Sequence, residues 1–250
     1  MISLENKNIV ITGASSGIGR ECAVVFSKIG AKVILIGRDL IRLKQTLDLL
    51  ESNNHLMYQM DVTDYNTIET IIADSVTKIG KIDGFVHCAG IEMTMPLQNM
   101  NYSKFDQLFS VNAIAAFEFS KIISKKKYCN SLGASFVFIS SVTGLLGVNG
   151  KIGYCSSKAA LISGGKAMAL ELANKKIRVN TILPGMVDTE MFQKIKEELS
   201  EESVLDIQKK HPLGIGQPND VSNLCAFLVS DLSKWITGSD YIIDGGYSCQ

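Results

Sequence analysis

The sequence predicts a doubly wound α/β fold, one parallel sheet of about seven strands with helices on both faces. Two observations predict it. Short apolar runs recur from end to end: NIVIT (8–12), KVILI (32–36), LMYQM (56–60), GFVHC (84–88), SFVFIS (135–140), IRVNTI (177–182) and YIID (241–244). Most are continuous rather than alternating, which suits strands buried on both faces of a parallel sheet. Between them lie longer stretches of helical pattern at 17–29, 39–52, 64–79, 103–127, 154–173 and 219–230. Strands alternating with helices in this way build parallel crossovers. No linker, composition break or repeat divides residues 1–250, so the chain reads as a single domain.

The bulk composition excludes several function classes. The chain is 46% hydrophobic, enough for a substantial core, and its 25 basic and 25 acidic residues cancel. A neutral balance gives no electrostatic reason to expect nucleic acid or an anionic membrane as partner. The run Lys125–Lys127 reads as a solvated helix end. No apolar stretch reaches the ~18 residues of a membrane span, and MISLENKNIV lacks the layout of a signal peptide. The six cysteines (22, 88, 129, 155, 225, 249) contain no CxxC pair and have no histidine at ligand spacing. They read as reduced thiols of a cytoplasmic protein, with no metal site.

Open parallel sheets bind ligands beyond the carboxyl ends of their strands. The first strand runs directly into TGASSGIG, residues 12–19. Gly13, Gly17 and Gly19 let the backbone turn tightly, approach a pyrophosphate and pack the following helix. That helix would present unpaired N–H groups and its positive dipole end to the phosphates. The spacing is GxxxGxG, and a glycine-rich βα turn alone is weak evidence. Its place after the first strand, opening a helix, points to a dinucleotide.

A second constellation is YCSSK, residues 154–158. Tyr154 and Lys158 are four apart and share a helix face. The bland reading is two neighbours on a half-exposed surface. The sharper one is an ammonium that favours the phenolate and so tunes Tyr154 as an acid.

These features together resemble the short-chain dehydrogenase/reductase family over essentially all 250 residues. TGASSGIG is similar to the family's TGxxxGxG turn and YCSSK to its YxxxK pair. Matches follow in the family's order: Asp61-Val62, Ala89-Gly90, Asn112, Ser140-Ser141, Pro184-Gly185, Thr189 and the ending ITGSDYIIDGG. The resemblance implies that Tyr154 protonates a substrate carbonyl oxygen and that Ser141 orients that oxygen. It implies that Lys158 hydrogen-bonds the nicotinamide ribose and that Asn112 anchors a water of the proton relay. It implies further cofactor contacts from Ser15, Ser16, Ile18, Asp61, Val62, Ala89, Gly90, Pro184, Gly185, Val187 and Thr189, the last holding the nicotinamide carboxamide. The single domain then combines dinucleotide binding and catalysis, with a substrate lid at about 190–212.

The adenosine half is read from the end of the second strand. NAD sites usually place a carboxylate there for the ribose 2′-OH. Here that position is Gly37, followed by Arg38. A small residue leaves room for a 2′-phosphate and a guanidinium pairs with it, so NADP(H) is the preferred cofactor. NAD(H) stays possible, with Asp39 either serving the ribose or capping the next helix.

Two departures from the family stand out. The usual NNAG turn is His87-Cys88-Ala89-Gly90, which gives up an asparagine that ties neighbouring strands and makes His87 a structural histidine. HPLGIGQP (211–218) lacks the arginine of the family's PLGRxGxP and is one residue shorter. Met93, Met95, Leu145, Leu146, Met186, Met191 and Phe192 suggest an apolar, adaptable substrate site, and no cation stands out there.

Within the family the chain is most like 3-oxoacyl-thioester reductases of fatty-acid synthesis. That implies a small carbonyl substrate, free or carried on an acyl carrier protein. At the two positions of carrier docking the chain has Leu132 and Lys175, only one of them basic. The resemblance also implies a homotetramer paired through the helices at 103–127 and 154–173. An NAD(H)-dependent sugar or polyol dehydrogenase is the alternative, and a non-catalytic dinucleotide sensor the remote one.

Overall fold

The computed structural model describes residues 2–52, 54–198 and 200–249. Seven strands form one sheet: β1 (Asn8–Thr12), β2 (Lys32–Gly37), β3 (Leu56–Gln59), β4 (Gly84–His87), β5 (Ala134–Ile139), β6 (Ile177–Pro184) and β7 (Asp240–Ile243). Their spatial order is β3-β2-β1-β4-β5-β6-β7 and every pairing is parallel. The chain winds outward from β1 to β3, then returns to lay β4 against the other side of β1. The crevice for a ligand opens at that reversal, beyond the ends of β1 and β4.

Period-two alternation explains why the strands read as unbroken apolar runs. In β1, Val10 enters one core with Ile34, Phe85, Phe119 and Phe136, whereas Ile9 and Ile11 enter the other with Leu35, Phe26 and Val221. Phe85 anchors the first core, 5.5 Å from the Phe119 ring and edge-on to Phe136 at 5.8 Å. Helices α1 (Gly17–Lys28) and α9 (Pro218–Val229) cover one face. The other lies under α3 (Tyr65–Ile79), α5 (Ala115–Ile123) and α6 (Ile152–Leu172). Helix α2 (Leu40–Leu47) follows β2. No described helix is long and apolar enough to cross a membrane.

The predicted helix 103–127 differs in form. The structure divides it into α4 (Tyr102–Phe109), a π-helical turn (Ser110–Ile114) and α5. Its last residues leave the helix, and Lys125 and Lys127 pair with Glu69 at 2.7 and 2.8 Å rather than lying free in solvent. The segment expected as a lid contains two short helices, α7 (Glu190–Glu198) and α8 (Glu201–Lys209). His211 closes it: its Nε2 accepts from the Met186 N–H at 3.1 Å, and its ring stacks on Tyr247. The shortened HPLGIGQP segment is therefore tied to the turn after β6.

Two glycines fix the first turn against its surroundings. A Cβ on Gly13, whose φ is +66°, would lie 2.7 Å from the Ala89 nitrogen, and one on Gly19 would lie 2.3 Å from the Gly13 oxygen. Both obstacles are backbone and cannot rotate away. Gly19→Ala is expected to lower stability by about 1–3 kcal/mol through overpacking, read as a fall in thermal midpoint. An unchanged midpoint would show that the turn can yield.

Candidate active site

The crevice is walled by the turn after β1. Gly17 also takes a positive φ, +49°, and opens α1. The hydroxyls of Ser15 and Ser16 make no hydrogen bond among the described residues, and Ser16 at the helix N-cap leaves the first N–H groups uncapped. The Gly17 N–H is occupied by an anion from the chain itself: Glu190 Oε2 accepts from it at 2.9 Å. Glu190 Oε1 lies 3.4 Å from Arg20 Nη1, completing an acid held at the helix N-terminus. The donors at this turn thus fit a negative group, as a pyrophosphate requires. Ile18 packs toward the core beneath.

Across the crevice, Ser141, Tyr154, Lys158 and Asn112 come together from three elements: the turn after β5, α6 and the π turn. Lys158 is buried, and its Nζ donates to the Ile139 carbonyl at 2.8 Å. Ser140, the neighbour of Ser141, points away and donates to the Lys158 carbonyl at 2.8 Å. Ser141 instead faces Tyr154 and accepts from the Thr143 N–H at 3.2 Å. The π turn explains the position of Asn112. Widening the helix there lets its Oδ1 accept from the Ile91 N–H (2.8 Å) while Nδ2 donates to the Ile91 carbonyl (3.0 Å) and Ser157 Oγ (2.9 Å). Gly90 leaves space beside them, since a Cβ there would lie 3.2 Å from Lys158 Nζ.

Electrostatics at this cluster follow from burial. Desolvation pulls the Lys158 ammonium down to about 8. It also holds the Tyr154 phenol well above its ordinary value, helped by the Glu92 carboxylate and opposed by the Ser141 hydroxyl. This differs from the expectation that Lys158 draws the phenol down. The ammonium is turned to Ile139 and stands 5.8 Å from the Tyr154 ring centre, and desolvation is the larger effect. His87 is pulled to about 3 by burial and then by the Lys158 charge. Its Nδ1 accepts from the Thr12 hydroxyl at 2.9 Å and its Nε2–H donates to the Val111 carbonyl at 3.3 Å. The strand tie that an asparagine would make is therefore kept by a neutral histidine.

At the end of β2, Arg38 is exposed and lies 3.6 Å from Asp61. Burial raises the Asp61 carboxyl, but the two Thr63 bonds and Arg38 outweigh it, leaving Asp61 below its ordinary value. Asp39 caps α2, accepting from the Arg42 N–H at 3.0 Å. A Cβ on Gly37 would lie 3.4 Å from Ser15 Oγ, so the two mark one corner of the crevice. Val62 and Ala89 are buried behind it. On the far side, Pro184 ends β6 and the turn after it carries Gly185, the buried Val187 and Thr189, whose hydroxyl accepts from the Phe192 N–H at 3.4 Å. Of the seven apolar residues expected at the substrate site, Phe192 is buried whereas Leu145 and Met191 are exposed.

Three participants escape a reading of the sequence. Glu190 bonds a turn 173 positions away. Glu92 and Lys151 form an ion pair of 2.7 Å, with Lys151 Nζ 5.9 Å from the Tyr154 ring centre, a cation that did not stand out in the sequence. The spacing of Lys151, three residues before Tyr154 and hence on a neighbouring helix position, was the one available signal.

Comparison with known proteins agrees with this geometry. A family model described as Enoyl-(Acyl carrier protein) reductase matches residues 13–248. The chain belongs to the short-chain dehydrogenase/reductase family. It is 36% identical to the 3-oxoacyl-[acyl-carrier-protein] reductase FabG of Thermotoga maritima, covering 97% of this chain and 98% of that one. It is 32% identical to an NAD-dependent glycerol dehydrogenase of Listeria innocua, covering 98% and 95%. Among solved structures, a short-chain type dehydrogenase/reductase from Mycobacterium ulcerans superposes with a TM-score of 0.91 at 27% identity, over 99% of this chain and 92% of that one. The protein is thus an oxidoreductase of a family that binds a nicotinamide dinucleotide.

Glu190 competes with any phosphate for the Gly17 N–H. Glu190→Gln removes the competing charge, and an exposed ion pair of this kind is worth up to about 1 kcal/mol. The variant is expected to bind NADPH about two- to fivefold more tightly in a fluorescence titration. Unchanged or weaker binding would contradict the competition.

Proposed function

We propose that the protein is an NADPH-dependent ketoreductase that converts a 3-oxoacyl thioester-like ketone to a secondary alcohol. The observation that carries this reading is the meeting of Ser141, Tyr154 and Lys158 at the mouth of a crevice whose glycine turn accepts an anion. A reduced nicotinamide supplies the hydride when bound. Tyr154 supplies the proton. Its raised pKa keeps the phenol protonated at neutral pH, so the hydroxyl is ready to donate as the substrate oxygen gains charge. Ser141 offers that oxygen a second hydrogen bond, and Asn112 with Ser157 holds the loop at Ile91 beside it. Lys158 sits below as a buried cation that favours negative charge above it.

Preference for NADPH rests on three features at the end of β2. Gly37 leaves space, Arg38 is exposed there, and Asp39 is engaged as a helix cap rather than free for a ribose hydroxyl. A 3-oxoacyl substrate is supported by the names of the FabG relatives. The glycerol dehydrogenase relative favours a second reading, NAD(H)-dependent oxidation of a small polyol on the same residues. A silent dinucleotide sensor has no use for the assembled Ser141, Tyr154 and Lys158.

Tyr154→Phe is expected to abolish turnover of every substrate while leaving NADPH affinity nearly unchanged. Retained turnover would reject the acid. Arg38→Ala removes a charge-assisted contact worth roughly 1.5–3 kcal/mol, so NADPH affinity is expected to fall about 10- to 150-fold, with little change for NADH. Wild-type binding of NADH as tight as NADPH would favour the polyol reading instead.

A further inference from the structure

The Glu92–Lys151 pair is unusual in where it sits. Glu92 lies two residues beyond Gly90 in the loop after β4, and Lys151 caps the start of α6, three residues before Tyr154. Their side chains are only 13% and 17% exposed, the only ion pair among the described residues with both partners below one-fifth. A backbone bond from the Met95 N–H to the Gly150 carbonyl ties the two loops together. Lys151 Nζ stands 5.9 Å from the Tyr154 ring centre, about as far as Lys158 Nζ at 5.8 Å.

Hydrogen-bond accounting shows what the pair leaves unused. Glu92 Oε1 lies 2.7 Å from the Lys151 ammonium as an ion pair and accepts from the Thr94 hydroxyl at 2.8 Å. Glu92 Oε2 accepts nothing among the described residues, and the three donors of the ammonium have no hydrogen-bond acceptor among them beyond the ion pair itself. An ion pair this buried holds two loops together no better than apolar packing would. What it supplies is a cation with spare donors, fixed by its acid next to the reacting phenol.

We propose that Lys151, held in place by Glu92, is a specificity-determining residue that donates a hydrogen bond to a second oxygen of the substrate, close to the carbonyl that Tyr154 protonates. The thioester carbonyl of a 3-oxoacyl thioester carries such an oxygen, and so does the hydroxyl of an α-hydroxy ketone. A plain ketone does not. The proposal rests on the ketoreductase reading and selects among its substrates.

The test compares three substrates with wild type, Lys151→Met, Lys151→Arg and Glu92→Gln. These are the acetoacetyl thioester of N-acetylcysteamine, hydroxyacetone and 2-pentanone, each assayed with NADPH and with NADH. Loss of a charged donor to the substrate is expected to cost Lys151→Met about tenfold or more in kcat/KM on the oxygen-bearing substrate, mainly through KM. Turnover of 2-pentanone, slow in wild type, should change little. Lys151→Arg keeps a donor and should restore the preference, and Glu92→Gln should weaken it less than Lys151→Met. A loss confined to the thioester or to hydroxyacetone identifies which oxygen is read. Equal losses on all three substrates, or no loss on any, would overturn the proposal, the first by assigning the pair to loop shape. Wild type inactive on all three would instead reject the ketoreductase reading, and this inference with it.

Discussion

A single buried ammonium organises the reacting end of the crevice. Lys158 has little solvent, so its charge must be met by the protein, and the Ile139 carbonyl meets it at 2.8 Å. Several neighbouring features follow. The Ser140 hydroxyl is spent on the Lys158 carbonyl, leaving Ser141 to face Tyr154. Position 90 is a glycine where a side chain would press on Nζ, and His87 stays neutral partly because that charge lies near. Below the unfolded value the charge is a cost as well as a tool. A lysine held at about 8 instead of 10.5 destabilises the folded, cofactor-free protein by about 3 kcal/mol near neutral pH.

The other end of the crevice is governed by close backbone approach. Gly13 and Gly19 bring the first turn against Ala89 and against itself, with backbone atoms as the obstacles. The Gly17 N–H that opens α1 donates to the Glu190 carboxylate at 2.9 Å. The same contact brings the first residue of α7 to the glycine turn.

Much of this was legible in the sequence, and the limits have physical causes. The strands were legible because burial on both faces leaves continuous apolar runs; β1 falls on 8–12 as expected. Ser141, Tyr154 and Lys158 were legible through their spacing and resemblance. The π turn at 110–114 was not, because one added residue per turn leaves the apolar rhythm of 103–127 nearly intact. The direction of the Tyr154 shift was misread because spacing reveals a neighbouring charge but not the desolvation that outweighs it. Glu92 and Lys151 lie in loops, 59 positions apart, where no periodicity announces a contact. His87 shows that a departure from a motif can preserve its work, since it ties Thr12 to Val111.

The cluster around Tyr154 depends most on the state of Lys158, and that state is measurable without a substrate. With lysine side chains labelled for NMR, the Lys158 signal in the cofactor-free protein should titrate near pH 8. Stability should show the linked effect. The unfolded chain binds the extra proton between about pH 8 and 10.5, so the wild type should gain stability relative to Lys158→Met as pH rises through that window. A titration at the ordinary lysine value of about 10.5, with no such gain, would contradict the buried cation at the centre of the site.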